Sequence, residues 1–152
     1  SQIERTFNEL WKKSMDAISV RIEFDAGKFS EHLKQAKACQ LMMWGAAWTA
    51  DYPDGENFMQ LLYGPNTGQS NNGCYESKSF DAIYDRMRAM SPDRPERNRL
   101  FIDMTRQMEV DGAWSMHVSR ERNQMIRPWV KGYKKHPILH GEWLYMDLEP
   151  RN

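Results

Sequence analysis

An aromatic ring and a carboxylate stand three residues apart near position 50, where they could bind one ligand together. Trp48 offers a flat face for stacking, and Asp51 offers oxygen atoms that accept hydrogen bonds from an ammonium or amide group. Tyr52 follows directly and is a third candidate contact. The chemistry that these residues predict is non-covalent binding of a solute that carries an amine or another positive group.

A buried strand is predicted to position these side chains. The apolar run at 41–48 is continuous rather than alternating, which is typical of a strand covered on both faces. A turn is predicted to follow at Pro53 and the next two residues. Trp48 and Asp51 would then lie at the carboxyl end of the strand, the edge at which open α/β sheets bind ligands.

Each of these residues also has a purely structural interpretation. Asp51 could accept backbone N–H bonds ahead of Pro53, and Trp48 could be the last core residue of its strand. Asp54 is expected to form the turn with Gly55. Both interpretations of Trp48 and Asp51 stay open on the sequence alone.

A second loop supplies further candidate ligand contacts. The segment 63–75 is rich in glycine, proline and asparagine, and a loop of this length in a compact domain is usually functional or mobile. Asn71, Asn72 and Tyr75 could line a cleft from this loop. Asparagines in such segments more commonly shape turns.

Catalysis by carboxylates is the alternative function. Asp51, Asp54 and Glu56 could serve as acid–base residues of a hydrolase if their environments separated their pKa values. Three acids in one turn are expected to be solvated and alike, which disfavours this function. The sequence also contains neither a GxSxG nucleophile motif nor a phosphate-binding glycine loop. We therefore predict a protein that is not an enzyme.

The histidines and cysteines give no indication of a metal site. His32, His117, His136 and His140 show neither HxH nor HExxH spacing, and no metal or other cofactor is predicted. Cys39 and Cys74 are too far apart for a CxxC motif. Free thiols are favoured for them, although a bridge between them stays open.

The charge balance argues against nucleic acid as a partner. Lys and Arg together number 21, as do Asp and Glu, so the formal net charge is zero. The 152 residues are 40% hydrophobic and 12% aromatic, which is typical of one globular domain.

Apolar periodicity predicts helices and strands on either side of the 41–48 run. Helices are expected at 3–11, 29–37, 58–62, 80–90 and 95–110. The side chains expected to face the core are Ile3, Phe7, Leu10 and Trp11 in the first helix, Phe80, Ile83, Tyr84 and Met87 in the fourth, and Leu100, Phe101, Met104 and Met108 in the fifth. Ser77 or Ser79 is expected to cap the start of the fourth helix, and Gly112 is expected to cap the end of the fifth. Alternating strands are expected at 18–24 and 114–118. The first strand, the second helix and the 41–48 run would form a βαβ unit with parallel strands.

Five segments resemble, in chain order, motifs of the family 5 extracellular solute-binding proteins of peptide-type ABC importers. Residues 48–54 read W-x-x-D-Y-P-D and are followed by Asn57-Phe58. The others are 75–81 (Y-x-N-P-x-F-D, with Ser77-Lys78 in place of Asn-Pro), 93–100 (D-x-x-x-R-x-x-L), 126–133 (V-x-P-W-V-x-G-Y, with Ile126 in place of the first Val) and 143–145 (the last strand).

The resemblance implies a fold and a division of the chain. The fold would be α/β, a fragment of a lobe like those of type II periplasmic binding proteins, with helices on the sheet faces and a C-terminal crossing segment. Family members are exported and much longer, so this chain is expected to be a C-terminal part. Residues 1–122 would belong to the C-terminal ligand-binding lobe, and residues 123–152 would return to the other lobe.

The resemblance also implies a function. The chain would contribute one wall of an interlobe cleft that closes over a small solute, with a peptide favoured and Asp51 receiving its amino group. A membrane permease and an ATPase would be its partners. The solute-binding protein itself would be located in the periplasm or outside the cell. A ligand-sensing domain of a regulator is a further alternative. Without the other lobe, the tail is expected to mediate or swap into a homodimer.

Overall fold

The computed structural model describes residues 2–119, 121, 123–136, 138 and 141–149. The chain divides into two units, Ser1–His32 and Leu33–Asn152. The described helices and strands are α1 (Gln2–Asp16), α2 (Phe29–Lys37), α3 (Glu56–Met59), α4 (Lys78–Arg88), α5 (Pro95–Val110), β1 (Val130–Lys131) and β2 (Asp147–Leu148), with 3₁₀ turns at Gly64–Asn66 and Glu142–Tyr145. None of the described helices combines the length and the apolar character needed to cross a membrane.

Helix α1 forms as the spacing of its apolar residues predicts, but its apolar face stays exposed. Ile3, Phe7 and Leu10 expose 70%, 40% and 57% of their surfaces. An amphipathic helix buries its apolar stripe only where another element covers it. The prediction that these side chains are core is therefore wrong for the described structure.

The predicted strand at 18–24 is absent. Helix α1 instead ends in a turn, in which the carbonyl of Met15 accepts hydrogen bonds from the N–H groups of Ile18 (3.1 Å) and Val20 (2.9 Å). Ser19 adopts a left-handed φ of 61° in that turn. An alternating pattern specifies which side chains could share a face, but a strand also needs a neighbouring backbone. No such pairing occurs here among the described residues.

The second unit is built on the packing of α4 against α5. The fully or nearly fully buried residues of its core are Leu62, Phe80, Tyr84, Met87, Leu100, Met104 and Met108. Within each helix these residues recur at intervals of three, four or seven, which places them on one face. The predicted inward faces of both helices are thus confirmed. Ser77 caps α4 by accepting a hydrogen bond from the N–H of Phe80, as one of the two predicted caps.

Helix α5 begins and ends where its sequence predicts. Pro95 occupies the first turn, where no intrahelical N–H partner is needed. Gly112 follows the helix at φ +64°, a conformation that costs glycine little. The N–H of Ala113 reaches back to the carbonyl of Met108 at 3.0 Å. This is a Schellman-type end, and the predicted glycine cap is confirmed.

The segments 41–48 and 114–118 are not strands in the described structure. Met42 and Met43 expose 104% and 65% of their surfaces, so the predicted burial of the first segment on both faces is wrong. Both segments lack a paired neighbour among the described residues, and the predicted βαβ unit therefore does not form there. The wider prediction of a lobe fragment of a type II binding protein stays a prediction.

A disulfide joins Cys39 to Cys74, with their Cα atoms 5.7 Å apart. The prediction of free thiols is wrong. Cys39 lies just after α2 at φ 56°, where its N–H bonds back to the carbonyl of Ala36. Cys74 has a similar φ of 51°. These two turns bring together residues that are 35 positions apart, a proximity that local sequence patterns do not encode.

The C-terminal segment contains a short antiparallel pair. Val130 lies opposite Leu148, and Lys131 lies opposite Asp147. The family resemblance predicts the last strand at 143–145, but that stretch falls in the 3₁₀ turn before β2. Trp143 and Tyr145 expose 66% and 70% of their surfaces. Their side chains do not contribute to a core in the described structure.

Candidate functional site

The candidate site is built on the turn that follows Trp48 and on the short helix α3. Asp54 begins this turn, with its N–H bonded to the carbonyl of Tyr52 at 2.9 Å. Its side chain accepts a hydrogen bond from the N–H of Glu56 at 2.8 Å, and its carbonyl accepts one from the N–H of Asn57. A carboxylate before a helix satisfies N–H groups that the helix leaves free. Asp54 is thus the turn-forming residue that the sequence predicts.

Asp54 also makes a bidentate ion pair with Arg97 of α5. The two guanidinium nitrogens lie 2.8 and 3.0 Å from the carboxylate oxygens. The side chain of Arg97 is only 9% exposed, and its guanidinium lies 5.0 Å from the ring centre of Phe101. The hydrogen bonds from Arg97 hold the pKa of Asp54 below its usual value of 3.8. This ion pair fixes the start of α3 against α5.

Glu56 ties the same helix to α4. Its carboxylate accepts hydrogen bonds from the hydroxyl groups of Tyr52 and Tyr84. Burial and the bond to Glu56 raise the pKa of Tyr84, and the bond to Glu56 followed by burial raises the pKa of Tyr52. A raised pKa favours the neutral form of each phenol, which is the form that donates to Glu56. Gly55 lets the start of α3 approach α5, because a Cβ there would lie only 3.1 Å from the ring of Phe101 in α5.

Asn57 connects α3 to the predicted ligand-binding residues. Its side chain is fully buried, and its Oδ1 accepts hydrogen bonds from the indole Nε1 of Trp48 at 2.8 Å and from the backbone N–H of Asp51 at 3.1 Å. Its Nδ2 lies 3.4 Å from a carboxylate oxygen of Asp51. One buried amide therefore holds the ring and the carboxylate beside each other.

The three predicted residues of this loop remain accessible to a ligand. Trp48 exposes 42% of its surface and Tyr52 exposes 40%, and Asp51 is exposed as well. Trp48 is not a buried core residue, although its indole N–H is engaged. The arrangement can stack a planar or apolar group on Trp48 and accept hydrogen bonds from a cationic group at Asp51.

The second set of predicted residues belongs to a different network. Asn71 is fully buried, and its amide bonds to the carbonyls of Tyr63 (3.2 Å) and Tyr75 (2.9 Å). The hydroxyl of Tyr75 donates to Asp111, and burial is the first cause that raises the pKa of this phenol. Asn72 is partly buried, and its Oδ1 has no hydrogen-bond partner among the described residues. No described hydrogen bond links this network to Trp48 or Asp51.

Three residues that sequence reasoning treated as ordinary prove central to the site. Arg97 lies in the D-x-x-x-R-x-x-L segment, and Asn57 directly follows the W-x-x-D-Y-P-D segment, so both had a motif as a signal. The sequence predicts only that Tyr84 lies on the inward face of α4. Its hydroxyl role could not be predicted, because it depends on the approach of Glu56 from another element.

The described residues hold no group of three or more His, Cys, Asp or Glu side chains placed to bind a metal ion. His32, His117 and His136 are described without such a cluster. His140, which was considered in the same prediction, lies outside the described residues.

Comparison of the sequence with curated proteins finds two similar proteins that have the same name. The chain is similar to two periplasmic oligopeptide-binding proteins. It is 24% identical to OppA of Escherichia coli (strain K12) over 126 residues, and 23% identical to OppA of Salmonella typhimurium over 125 residues. The aligned parts cover 83% and 82% of this chain, but only 22% of either relative. The chain thus spans about a fifth of the length of the relatives it matches.

No family model matches the chain. No solved structure matches it significantly. The similarity to the two OppA proteins therefore gives a coarse relationship to solute-binding proteins, and it names oligopeptides as what those relatives bind.

Proposed function

We propose that this chain forms one wall of the ligand cleft of a solute-binding protein that serves an ABC importer, and that its solute is a peptide. One observation carries the proposal: Trp48 and Asp51 are held beside each other on a single buried amide, with both side chains open to solvent. The similarity to two oligopeptide-binding proteins supports the choice of solute.

In this proposal Asp51 receives the α-ammonium group of the peptide and Trp48 stacks on the adjoining atoms. A carboxylate and an ammonium form a charge-assisted hydrogen bond, about twice as strong as a neutral one. Tyr52 borders the same surface, although its hydroxyl is bonded to Glu56. Asn71 and Tyr75 would contribute by shaping their loop. Asn72 stays a candidate contact of that loop, but its unpartnered Oδ1 is itself buried.

The partners and location follow from the same proposal. A permease in the membrane would receive the solute and an ATPase would drive its import. The protein itself would work in the periplasm or outside the cell. The Cys39–Cys74 disulfide supports an oxidising compartment. In the whole protein we propose the α/β lobe of a type II binding protein, with residues 123–152 returning to the other lobe. A tail-mediated homodimer of the chain alone stays a prediction.

Two observations argue against the hydrolase alternative. A general acid needs a raised pKa, whereas Arg97 lowers the pKa of Asp54. Glu56 is occupied by two tyrosine hydroxyls. The relatives are named as binding proteins, which supports a non-enzymatic role.

The proposal is tested by isothermal titration calorimetry of the intact protein that contains this chain. Trialanine is the ligand, and N-acetyl-trialanine is the matched peptide that lacks the charged amine. We expect trialanine to bind the wild type. Asp51→Asn should weaken this binding by about 10- to 100-fold, which corresponds to the loss of one hydrogen bond to a charged group. The acetylated peptide should bind the wild type about as weakly as trialanine binds the variant.

Glu109→Gln is the control for the loss of one negative charge. Glu109 is exposed on α5, outside the contacts described for the site. This variant should keep the affinity of the wild type. Equal affinity of both peptides for the wild type, or unchanged trialanine binding by Asp51→Asn, would contradict the role of Asp51.

A further inference from the structure

Asn57 occupies an unusual place for a polar side chain, because it is fully buried yet lies behind the exposed pair of Trp48 and Asp51. A buried amide is costly unless its donors and acceptors are paired. Its Oδ1 accepts from both an indole N–H and a backbone N–H, at 2.8 and 3.1 Å. Its own burial excludes it from direct contact with a ligand.

The helix that carries Asn57 is tied to the core on both sides of this residue. Asp54, which precedes the helix, is paired with Arg97 of α5, and Glu56 accepts the hydroxyl of Tyr84 from α4. The position of Asn57 is therefore set by the packed helices rather than by the exposed loop. Trp48 and Asp51, which lie in a segment without regular secondary structure, take their position from Asn57.

We propose that Asn57 is a positioning residue that sets the geometry of amine recognition by holding Trp48 and Asp51 in a fixed relation. This inference rests on the proposed function, since it names the residue that makes the site selective for a free amine. The indole N–H bond fixes the ring, and the backbone N–H bond fixes the residue that carries the carboxylate. Sites are selective when their contact residues are held by such supporting hydrogen bonds.

The test compares Asn57→Leu, which has the same branched shape but no polar group, with Asn57→Gln, which keeps the amide on a side chain that is one methylene longer. Aspartate is avoided because a carboxylate oxygen in place of Nδ2 would lie close to the carboxylate of Asp51. Calorimetry with trialanine and N-acetyl-trialanine gives a ratio of affinities that measures amine preference. We expect Asn57→Leu to reduce this ratio by roughly tenfold, while Asn57→Gln, which can still accept hydrogen bonds, retains more of it. A purely structural role would weaken both peptides equally and leave the ratio unchanged.

A spectroscopic measurement follows the same bond without any ligand. In ¹⁵N–¹H spectra, the indole N–H signal of Trp48, assigned with Trp48→Phe, should move and exchange faster with solvent in Asn57→Leu, and less so in Asn57→Gln. Circular dichroism checks that each variant is folded. If Asn57→Leu does not fold, Asn57→Ser takes its place, because a serine hydroxyl is too short to reach the indole and should reduce the ratio in the same way.

The outcomes separate this inference from the proposed function. A folded Asn57→Leu or Asn57→Ser variant with a released indole and an unchanged affinity ratio would overturn the positioning role and leave peptide binding intact. A wild-type protein that binds neither peptide would overturn the proposed function, and one that binds both equally would overturn the role of Asp51. Either result would overturn this inference as well.

Discussion

The carboxylate of Asp54 serves two purposes at once, because it starts α3 and pairs with a nearly buried guanidinium. The pKa of Asp54 is lower in the folded protein than its usual 3.8. A lowered carboxylate pKa contributes stability above the unfolded-state value, and this contribution is lost as the pH falls through the folded-state value. The ion pair should therefore stabilise the protein at neutral pH and stop doing so in strong acid.

We predict that Asp54→Asn lowers the free energy of unfolding at neutral pH by about 3 kcal/mol. This is the lower end of the cost of leaving a buried charge unpaired, since the side chain of Asp54 is 23% exposed. Urea denaturation of the wild type and the variant, repeated from about pH 7 to about pH 2, measures the difference. The difference should shrink as the pH falls below about 4.

Asp103→Asn is the matched control at the residue scale. Asp103 pairs with Arg106 at 4.0 Å, but both side chains are more than half exposed. Its loss should change stability by less than about 1 kcal/mol at any pH. An Asp54→Asn effect that is equally small, or that stays constant down to the acid end of the series, would contradict the role of the ion pair.

At the scale of elements, the sequence predicts what depends on neighbours along the chain. Helices α4 and α5 agree with their predicted faces and caps, because a helix satisfies its backbone within one segment. The strands at 18–24 and 41–48 fail in the described structure, because their backbone partners must come from elsewhere. The same reason explains how much of the candidate site the sequence predicts. The residue types of Trp48 and Asp51 predict a ligand-binding role, whereas the buried amide of Asn57 that joins them is visible only in the structure.

The Cys39–Cys74 disulfide is a covalent contact between two segments that are distant in the sequence. It links the end of α2 to the loop before α4 and encloses the candidate site residues 48–57. Closing a loop of 35 residues restricts the unfolded chain. We predict that Cys39→Ala with Cys74→Ala lowers the free energy of unfolding by about 2–4 kcal/mol, as measured by urea denaturation without reductant.

Reduction provides the control for this prediction. Dithiothreitol should destabilise the wild type by a similar amount and leave the double variant unchanged. Mass spectrometry after alkylation should find that neither cysteine of the untreated wild type has been alkylated. Alkylation of both thiols without reductant would show that the bridge is absent.

At the scale of the whole molecule, the candidate site is an open surface. Trp48 and Tyr52 are each about 40% exposed, whereas ligand pockets commonly bury 70–90% of a small ligand. An exposed ring and an exposed carboxylate give little burial and strong competition from water. The proposed second wall, supplied by another lobe that closes on the solute, would provide the missing burial.

We therefore predict that the 152-residue chain alone binds trialanine at least about 100-fold more weakly than the intact protein, or not measurably. Calorimetry of both proteins under one set of conditions makes the comparison, and circular dichroism confirms that the shorter chain is folded. The reason is lost burial and does not depend on which solute is bound. Equal affinity of the two proteins would mean that this surface is a complete site, and the proposal of one wall in a two-walled cleft would fail.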